Sequence, residues 1–184
     1  MAIRKIARMG TPVLRKKARE LSPAEITSPE IRTLIQDMFD TLNDYDGIGL
    51  AAPQVFESLA LAIIHYPQDE EPKIIFNPKI TVLDETLQGY WEGCLSIPEL
   101  RGYVERPRKV RIDYLDQRAK PQSITVEGFP ATVFQHELDH LFGVLYVDRV
   151  KNVLGGTLLS FTEEYARYHL SDEQGEDSSE QLDD

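Results

Sequence analysis

The sequence has little cysteine, no long apolar run and no cluster of basic residues, and each absence excludes a class of protein. Cys94 is the only cysteine among 184 residues, so no disulfide can form within one chain, and a lone thiol is typical of a reducing cytoplasm. No apolar run approaches the ~20 residues that a membrane-spanning helix needs. The basic start, Met1 to Lys5, is not followed by the apolar stretch of a secretory signal. We therefore expect a cytoplasmic protein without a membrane segment.

Basic residues are scarce as well, and the acidic excess is concentrated at the end of the chain. Lys and Arg number 20 against 31 Asp and Glu, which gives a formal net charge of −11. Residues 171–184 hold seven of these acids and no basic residue, and such a segment repels itself and has too few apolar groups to fold. We expect a single catalytic domain over residues 1–170 and a disordered acidic tail over 171–184. Because no basic cluster is present, we expect no nucleic-acid surface.

The remaining pattern predicts an α+β domain. A helix should begin after Ser28, which can cap it, with Pro29 in the first helical position, and should end at Asp46-Gly47. A second helix should run from Pro130 to Gly143 and a third from Val153 to His169. Five strand-like runs lie between the first two helices, separated by prolines: Leu59–His65, Lys73–Phe76, Lys79–Leu83, Val110–Leu115 and Ile124–Val126. We expect short antiparallel or mixed sheets packed around the second helix, with an N-terminal and a C-terminal helix beside them.

Two histidines on the second predicted helix carry the clearest chemical signal. His136 and His140 are four residues apart, which places both imidazoles on one helix face, close enough to share one cation. Glu137 lies between them and can act as a general base on a water molecule at the metal. Apolar neighbours such as Phe134 and Leu138 indicate that the helix is buried, where two histidines and a glutamate without partners would be costly. The pattern predicts a metal-dependent hydrolase with a central metal-binding helix.

Spacing alone does not identify the third metal ligand. In the pattern H-E-x-x-H-x-x-G-x-x-H the last position supplies it, but here Gly143 is followed at that position by Tyr146, so this ligand set is excluded. A downstream glutamate, Glu163 or Glu164, remains possible, as in metalloproteases. Cys94 is the upstream alternative, since a metal would hold its thiol deprotonated. A catalytic cysteine–histidine pair is a further possibility, but it would leave the spacing of the two histidines unexplained.

Three segments together resemble the peptide deformylase family. They occur in the order and at about the spacing of that family, and the resemblance covers residues from about 6 to 150. The segments are Gly47-Ile48-Gly49-Leu50-Ala51-Ala52-Pro53-Gln54, Glu92-Gly93-Cys94-Leu95-Ser96 and Gln135-His136-Glu137-Leu138-Asp139-His140. The resemblance implies a hydrolase that removes the N-terminal formyl group from formyl-methionine of newly synthesised proteins and releases formate.

The resemblance also implies a role for individual residues. It makes Cys94, His136 and His140 the metal ligands. It makes Glu137 the group that takes a proton from water and passes it to the leaving amine. The Gln54 side-chain amide and the backbone N–H of Leu95 would stabilise the developing oxyanion.

A larger set of residues is predicted to bind the substrate. The glycines would let the backbone approach a bound peptide, and the apolar residues would hold the methionine side chain. Glu92 and Arg101 would pair and shape the same pocket. The predicted substrate-binding set is Gly47, Ile48, Gly49, Glu92, Gly93, Arg101, Phe129, Thr132 and Val133.

The cofactor and partners follow from the same resemblance. Two imidazoles and one thiolate suit Fe²⁺, Zn²⁺, Ni²⁺ or Co²⁺, and the family points to Fe²⁺ as the physiological ion. The expected partners are nascent N-formylmethionyl polypeptides at the ribosome of a bacterium. Some family members dock there through a basic C-terminal extension, and the acidic tail over 171–184 argues against that mode here.

Two other functions stay open on the residues alone. A metalloprotease with Glu163 or Glu164 as ligand would lose its metal when that glutamate is replaced. A non-enzymatic binding module stabilised by a metal would bind the ion but show no turnover.

Overall fold

A computed structural model describes residues 2–65, 71–150, 152–153, 156–157 and 159–161. Its helices are α1 (Pro23–Ile26), α2 (Pro29–Asp44) and α3 (Phe129–Leu141), with short 3₁₀ helices at Pro12–Arg15, Ala52–Val55 and Tyr146–Asp148. Its strands are β1 (Gly49–Ala51), β2 (Leu61–Ile64), β3 (Lys73–Cys94), β4 (Ile97–Leu115), β5 (Pro121–Glu127), β6 (Asn152–Val153), β7 (Gly156–Thr157) and β8 (Leu159–Phe161). None of the helices within these ranges is long and apolar enough to cross a membrane.

Helix α2 forms where its sequence signals predict. The Ser28 side chain accepts a hydrogen bond from the backbone N–H of Ile31, which satisfies one of the free donors at the helix start, and Pro29 occupies the first turn. One face is buried along the whole helix, through Ile31, Leu34, Ile35, Met38 and Leu42. This apolar face packs in the same cluster as strands β1 and β2, and so covers one side of the structure that carries the site.

Helix α3 lies at the centre of the molecule. It begins after Gly128, whose φ of +72° suits glycine, and the chain leaves it through Gly143 at φ +74°. Every residue from Ala131 to Leu141 is buried. The helix contacts all five strands from β1 to β5, so His136, Glu137 and His140 lie in the interior, as the sequence predicts.

The main sheet is antiparallel, in the order β1-β2-β3-β4-β5, with β8 paired to β4. The prediction of separate short strands is wrong for β3 and β4, which form one long hairpin. Prolines and glycines suggest breaks in the sequence, but register shifts between Phe76 and Lys79 and between Val82 and Leu87 keep the strands paired around them. The α+β class itself is confirmed.

The predicted C-terminal helix is wrong over its first part. Residues 152–153, 156–157 and 159–161 form strands β6, β7 and β8. Gly155-Gly156 and the β-branched Val153 and Thr157 disfavour a helix, and β8 gains a partner in Leu100–Gly102 of β4. The remainder of that predicted helix, 162–169, and the predicted acidic tail, 171–184, lie outside the described residues.

Candidate metal centre

Three side chains with metal-binding atoms meet between the end of β3 and the middle of α3. The helical spacing puts His136 and His140 one turn apart, with ring centroids 5.3 Å from each other. Cys94 is the last residue of β3, and its Sγ lies 3.3 Å from Nε2 of His140. One ligand atom from each of the three residues lies within 4.8 Å of the others. These distances suit three donors that converge on one cation.

The two imidazoles differ in their hydrogen bonds and in the direction of their pKa shifts. Nδ1 of His136 lies 2.8 Å from Oε2 of Glu92, which leaves Nε2 of that ring for a cation. Burial opposes a charge on His136, but its hydrogen bonds with Cys94 and Glu92 raise the pKa of this histidine well above its usual value. Burial lowers the pKa of His140 well below its usual value, so that ring is neutral with a free lone pair. A thiolate and two imidazoles are a donor set for a transition metal such as zinc or iron.

Glu137 lies beside the cluster with an unused oxygen. The residue is 5% exposed, and its Oε2 has no hydrogen-bond partner within the part of the chain that the structure describes. Burial raises the pKa of Glu137 to about 7, near which a carboxyl group can both accept and release a proton at neutral pH. The backbone of Gly49 packs against it, since a Cβ added at Gly49 would lie 2.5 Å from Oε1 of Glu137.

Gln54 and Leu95 reach the cluster from two other segments. The 3₁₀ helix Ala52–Val55 holds Gln54, whose Oε1 accepts a hydrogen bond from the backbone N–H of Ala51 at 2.8 Å. This bond directs Nε2 toward Sγ of Cys94, at 3.5 Å, and toward Oγ of Ser96, at 3.3 Å. Leu95 follows Cys94 in the turn between β3 and β4. An amide donor therefore lies beside the cysteine.

A buried network of charges, which sequence reasoning missed, supports His136. Arg106 of β4 is 2% exposed; it donates from Nε and Nη2 to the two carboxylate oxygens of Glu92, at 2.6 and 2.9 Å, and from Nη1 to Asp139 at 2.7 Å. Arg149 donates to both oxygens of Asp139 at 2.5 Å. Burial opposes a charge on Glu92, but the hydrogen bonds with Arg106 and His136 lower the pKa of this carboxyl group. Glu92 is therefore an anion that fixes the ring of its histidine.

The network corrects one predicted pair. The ion-pair partner of Glu92 is Arg106, whereas Arg101 lies across the ladder from Gly93. The signal was present in the sequence. Arg106 lies two residues after Val104, and side chains two residues apart on a strand point to the same face, which is the buried face of β4 here. It was missed because no strand was predicted over that part of the chain.

Tyr146, at the position that rules out a third histidine, also packs on the cluster. Its ring is nearly parallel to that of His136, at 21° with centroids 6.0 Å apart, and its hydroxyl donates to the carbonyl of Leu100 at 3.0 Å. Burial raises the pKa of Tyr146 to about 12, so the phenol stays a donor. Tyr146 thus contacts both His136 and Leu100, which lines the pocket.

A pocket of about 430 Å³ opens at the cluster, a volume within the range of small-ligand sites. Every predicted site residue except His140 lines it, and so does Trp91. Thr132 and Val133 of α3 form its buried wall, at 2% and 5% exposure, and Phe129 lies at its more exposed side. The ring of Tyr90 packs edge-on against Phe129 at 5.1 Å, so the aromatic pair Tyr90-Trp91 belongs to the pocket region.

The structure shows what surrounds two of the predicted glycines, Gly49 and Gly93. Gly49 is needed because Glu137 occupies the space beside it, a steric reason that the sequence does not reveal. At Gly93 an added Cβ would meet Arg101 at 3.6 Å, an ordinary contact, so packing does not demand glycine there. The alternative ligands Glu163 and Glu164 lie outside the described residues.

Comparisons with known proteins agree with this geometry. Residues 3–154 match the family described as Polypeptide deformylase. The chain is 45% identical to the peptide deformylase of Leptospira biflexa serovar Patoc over 161 residues, 83% of this chain and 90% of the relative. It is 40% identical to that of Brucella suis biovar 1 over 156 residues, 83% of this chain and 87% of the relative.

Solved structures give the same result. A peptide deformylase from Synechococcus elongatus in complex with actinonin superposes with a TM-score of 0.75 at 42% identity, over 82% of this chain and 80% of that one. The enzyme from Thermotoga maritima superposes with a TM-score of 0.77 at 36% identity, over 83% of this chain and 100% of that one. The chain therefore belongs to the polypeptide deformylase family, and it is a metal-dependent hydrolase that removes the N-terminal formyl group from newly made peptides.

Proposed function

We propose that Cys94, His136 and His140 hold one divalent cation and that Glu137, Gln54 and Leu95 carry the chemistry of deformylation beside it. The observation that carries the proposal is the convergence of one sulfur and two imidazole nitrogens within 4.8 Å of one another. The unpartnered oxygen of buried Glu137 beside this cluster supports it further. When bound, a divalent cation would polarise the formyl oxygen and lower the pKa of a water molecule at the site.

Glu137 is the proton carrier in this proposal. Water adds to the formyl carbon while Glu137 takes one of its protons, and the carboxyl group then gives that proton to the peptide nitrogen. The carbon–nitrogen bond breaks, and the products are formate and a peptide with a free amino terminus. Glu137 is buried against the backbone of Gly49, which limits the positions that its carboxylate can take.

Gln54 and Leu95 act on the charge that develops on the formyl oxygen. The hydrogen bond from Ala51 to Oε1 holds the Gln54 amide with its N–H groups toward the cysteine. The backbone N–H of Leu95 adjoins the same residue. Donors fixed before the reaction stabilise an oxyanion without reorganisation, and each is typically worth about 3 kcal/mol.

The pocket beside the cluster receives the methionine side chain in this proposal. Val133 and Ile48 supply apolar surface, and Thr132 turns its hydroxyl away, toward Nε2 of Gln88 at 3.4 Å. Phe129 borders the opening, where Gly47 and Gly49 on one side and Gly93 and Arg101 on the other would flank an extended peptide. An apolar side chain next to the formyl group suits this apolar wall better than a charged one.

We further propose Fe²⁺ as the physiological ion, with Zn²⁺, Ni²⁺ or Co²⁺ as functional substitutes. The mixed sulfur and nitrogen donor set supports any of these four ions. The substrates are nascent N-formylmethionyl chains that emerge from the ribosome in the bacterial cytoplasm. Relatives from bacteria and a single cysteine in the sequence support that setting.

The ligand assignment is tested by replacing Cys94 with alanine. We expect Cys94→Ala to lose both the metal and the release of formate from a formyl-Met peptide, because two imidazoles alone bind a cation more weakly. Glu137→Gln is the matched variant and should keep one equivalent of metal while turnover falls by about 10²-fold or more. The measurements are elemental analysis after anaerobic purification and a formate-release assay. A Cys94→Ala protein that retains one equivalent of metal would overturn the proposal.

A further inference from the structure

Three consecutive residues near the start of the chain bond to both segments that carry the proposed oxyanion donors. The backbone N–H of Ala7 donates to the carbonyl of Gln54 at 2.7 Å, and that of Met9 donates to the carbonyl of Ser96 at 2.9 Å. Between them, Nη1 of Arg8 donates to the carbonyl of Leu95. The donors Gln54 and Leu95 lie far apart in sequence, yet one short segment contacts both.

Burial of Ile6 and Ala7 fixes the position of this segment relative to the rest of the fold. Ile6 and Ala7 are buried in two different apolar clusters, at 2% and 0% exposure. The side chain of Arg8 is exposed, and its guanidinium contacts the carbonyl of Leu95. A guanidinium donor carries a full charge, so its hydrogen bond to a carbonyl is stronger than a neutral one.

The turn that contains Leu95 can change its backbone conformation, and the contact with Arg8 restrains that change. Cys94 and Ile97 pair across the hairpin, which leaves Leu95 and Ser96 as its two central residues. The peptide unit between two such residues can rotate and convert one turn type into another, which swings its carbonyl and changes the backbone angles on both sides. The Leu95 N–H belongs to the preceding peptide unit, which shares the Cα atom of Leu95 with the unit that rotates, so a displacement of the Leu95 carbonyl reaches this N–H through that atom. Arg8 and Met9 bind the two carbonyls of this turn and so oppose the rotation.

We propose that Ala7–Met9 is a positioning element for the two oxyanion donors, and that Arg8 is a positioning residue for Leu95. The inference rests on the proposed roles of Gln54 and Leu95 and assigns a source of rigidity to them. Arg8 does not itself line the pocket, and the side-chain hydrogen bond that it donates goes to the carbonyl of Leu95, which does. Its effect on the reaction is therefore exerted through the turn.

The test replaces the guanidinium and keeps the aliphatic stem. In Arg8→Met, kcat for formate release should fall about tenfold, because small displacements of a catalytic donor are costly. KM should stay within about twofold and the metal content at one equivalent, since a donor that acts only in the transition state changes kcat alone. Arg8→Lys, which restores one cationic donor, should recover part of kcat.

Arg32→Met is the matched control. Arg32 also donates from its guanidinium to a backbone carbonyl, that of Thr27 at 2.7 Å, but at the junction of α1 and α2. We expect Arg32→Met to leave kcat unchanged and both variants to unfold at similar temperatures. The inference is overturned if kcat of Arg8→Met matches that of Arg32→Met, or if Arg8→Met raises KM alone or loses metal.

Gln54→Leu separates this inference from the proposed function. Loss of turnover in Gln54→Leu with normal turnover in Arg8→Met would overturn the role of Arg8 and leave the donor assignment standing. Normal turnover in Gln54→Leu would overturn the assignment of Gln54 as an oxyanion donor, and with it the inference that Ala7–Met9 positions two donors.

Discussion

At the scale of single residues, position 49 requires glycine because the Glu137 side chain packs against its backbone. A Cβ at this position would lie 2.5–2.6 Å from Oε1, Cδ and Cγ of Glu137, distances that no relaxed contact tolerates. The glycine therefore gives space to Glu137, the proposed general base. The sequence singled out Gly49 by family resemblance, but only the fold brings it to the glutamate, since β1 and α3 are distant in the chain.

We expect Gly49→Ala to slow catalysis and to keep the metal. The methyl group displaces the Glu137 carboxylate, so kcat should fall about ten- to hundredfold, while the three proposed metal ligands are untouched. Steady-state kinetics and elemental analysis are the measurements. The double variant Gly49→Ala/Glu137→Gln serves as the control. It should be no slower than Glu137→Gln alone, because both changes act on one carboxylate, and a clearly additive loss would contradict this account.

At the scale of elements, the site is held by a charge network that joins β3, β4 and α3. Arg106 of β4 lies between Glu92 of β3 and Asp139 of α3, and all three are largely buried. Sequence reasoning found the histidines because a four-residue spacing is local to one helix. It missed Arg106 because no strand was predicted over that part of β4, and because the partners of this residue come from two other elements.

We expect Arg106→Met to destabilise the protein by about 3–5 kcal/mol, because it leaves the buried Glu92 carboxylate without its guanidinium partner, whereas Asp139 keeps Arg149. Arg106→Lys, which keeps the charge but has fewer directed donors, should lie between this variant and the wild type. Urea unfolding followed by circular dichroism measures both.

The control for Arg106 is an exposed arginine on the same strand. Arg108 pairs with Glu127, and both side chains are largely exposed, at 52% and 39%. Arg108→Met should therefore change the free energy of unfolding by about 1 kcal/mol or less. Equal effects of the two substitutions would show that the buried network contributes no more than a surface pair.

At the scale of the whole molecule, the metal centre lies where the sheet, the central helix and the N-terminal segment meet. Cys94 comes from the end of β3, the histidines from α3, and Gln54 from a 3₁₀ helix that is bonded to Ala7. A cation bound by Cys94, His136 and His140 would therefore cross-link separate parts of the fold. Such a ligand binds the folded state alone and stabilises it by mass action.

We expect removal of the metal by a chelator to lower the melting temperature by about 10 °C. Saturation at about a thousand times the dissociation constant is worth about 4 kcal/mol, and a chain of this size shifts by about 2–4 °C per kcal/mol. Differential scanning calorimetry with and without Zn²⁺ measures the change. Cys94→Ala is the control and should show no shift on adding Zn²⁺, while an equal shift in both proteins would place the stabilising ion elsewhere.

The sequence by itself determined the helices α2 and α3, the α+β class, and the histidine pair with its glutamate, because each depends on periodicity, caps and spacing within a short stretch. Family resemblance added Cys94, Gln54 and the reaction. Only the tertiary structure decided that Glu92 pairs with Arg106, that Gly49 makes room for Glu137, and that strands follow Asn152 in place of a helix. These depend on contacts between residues distant in the chain, where packing and burial outweigh local propensity.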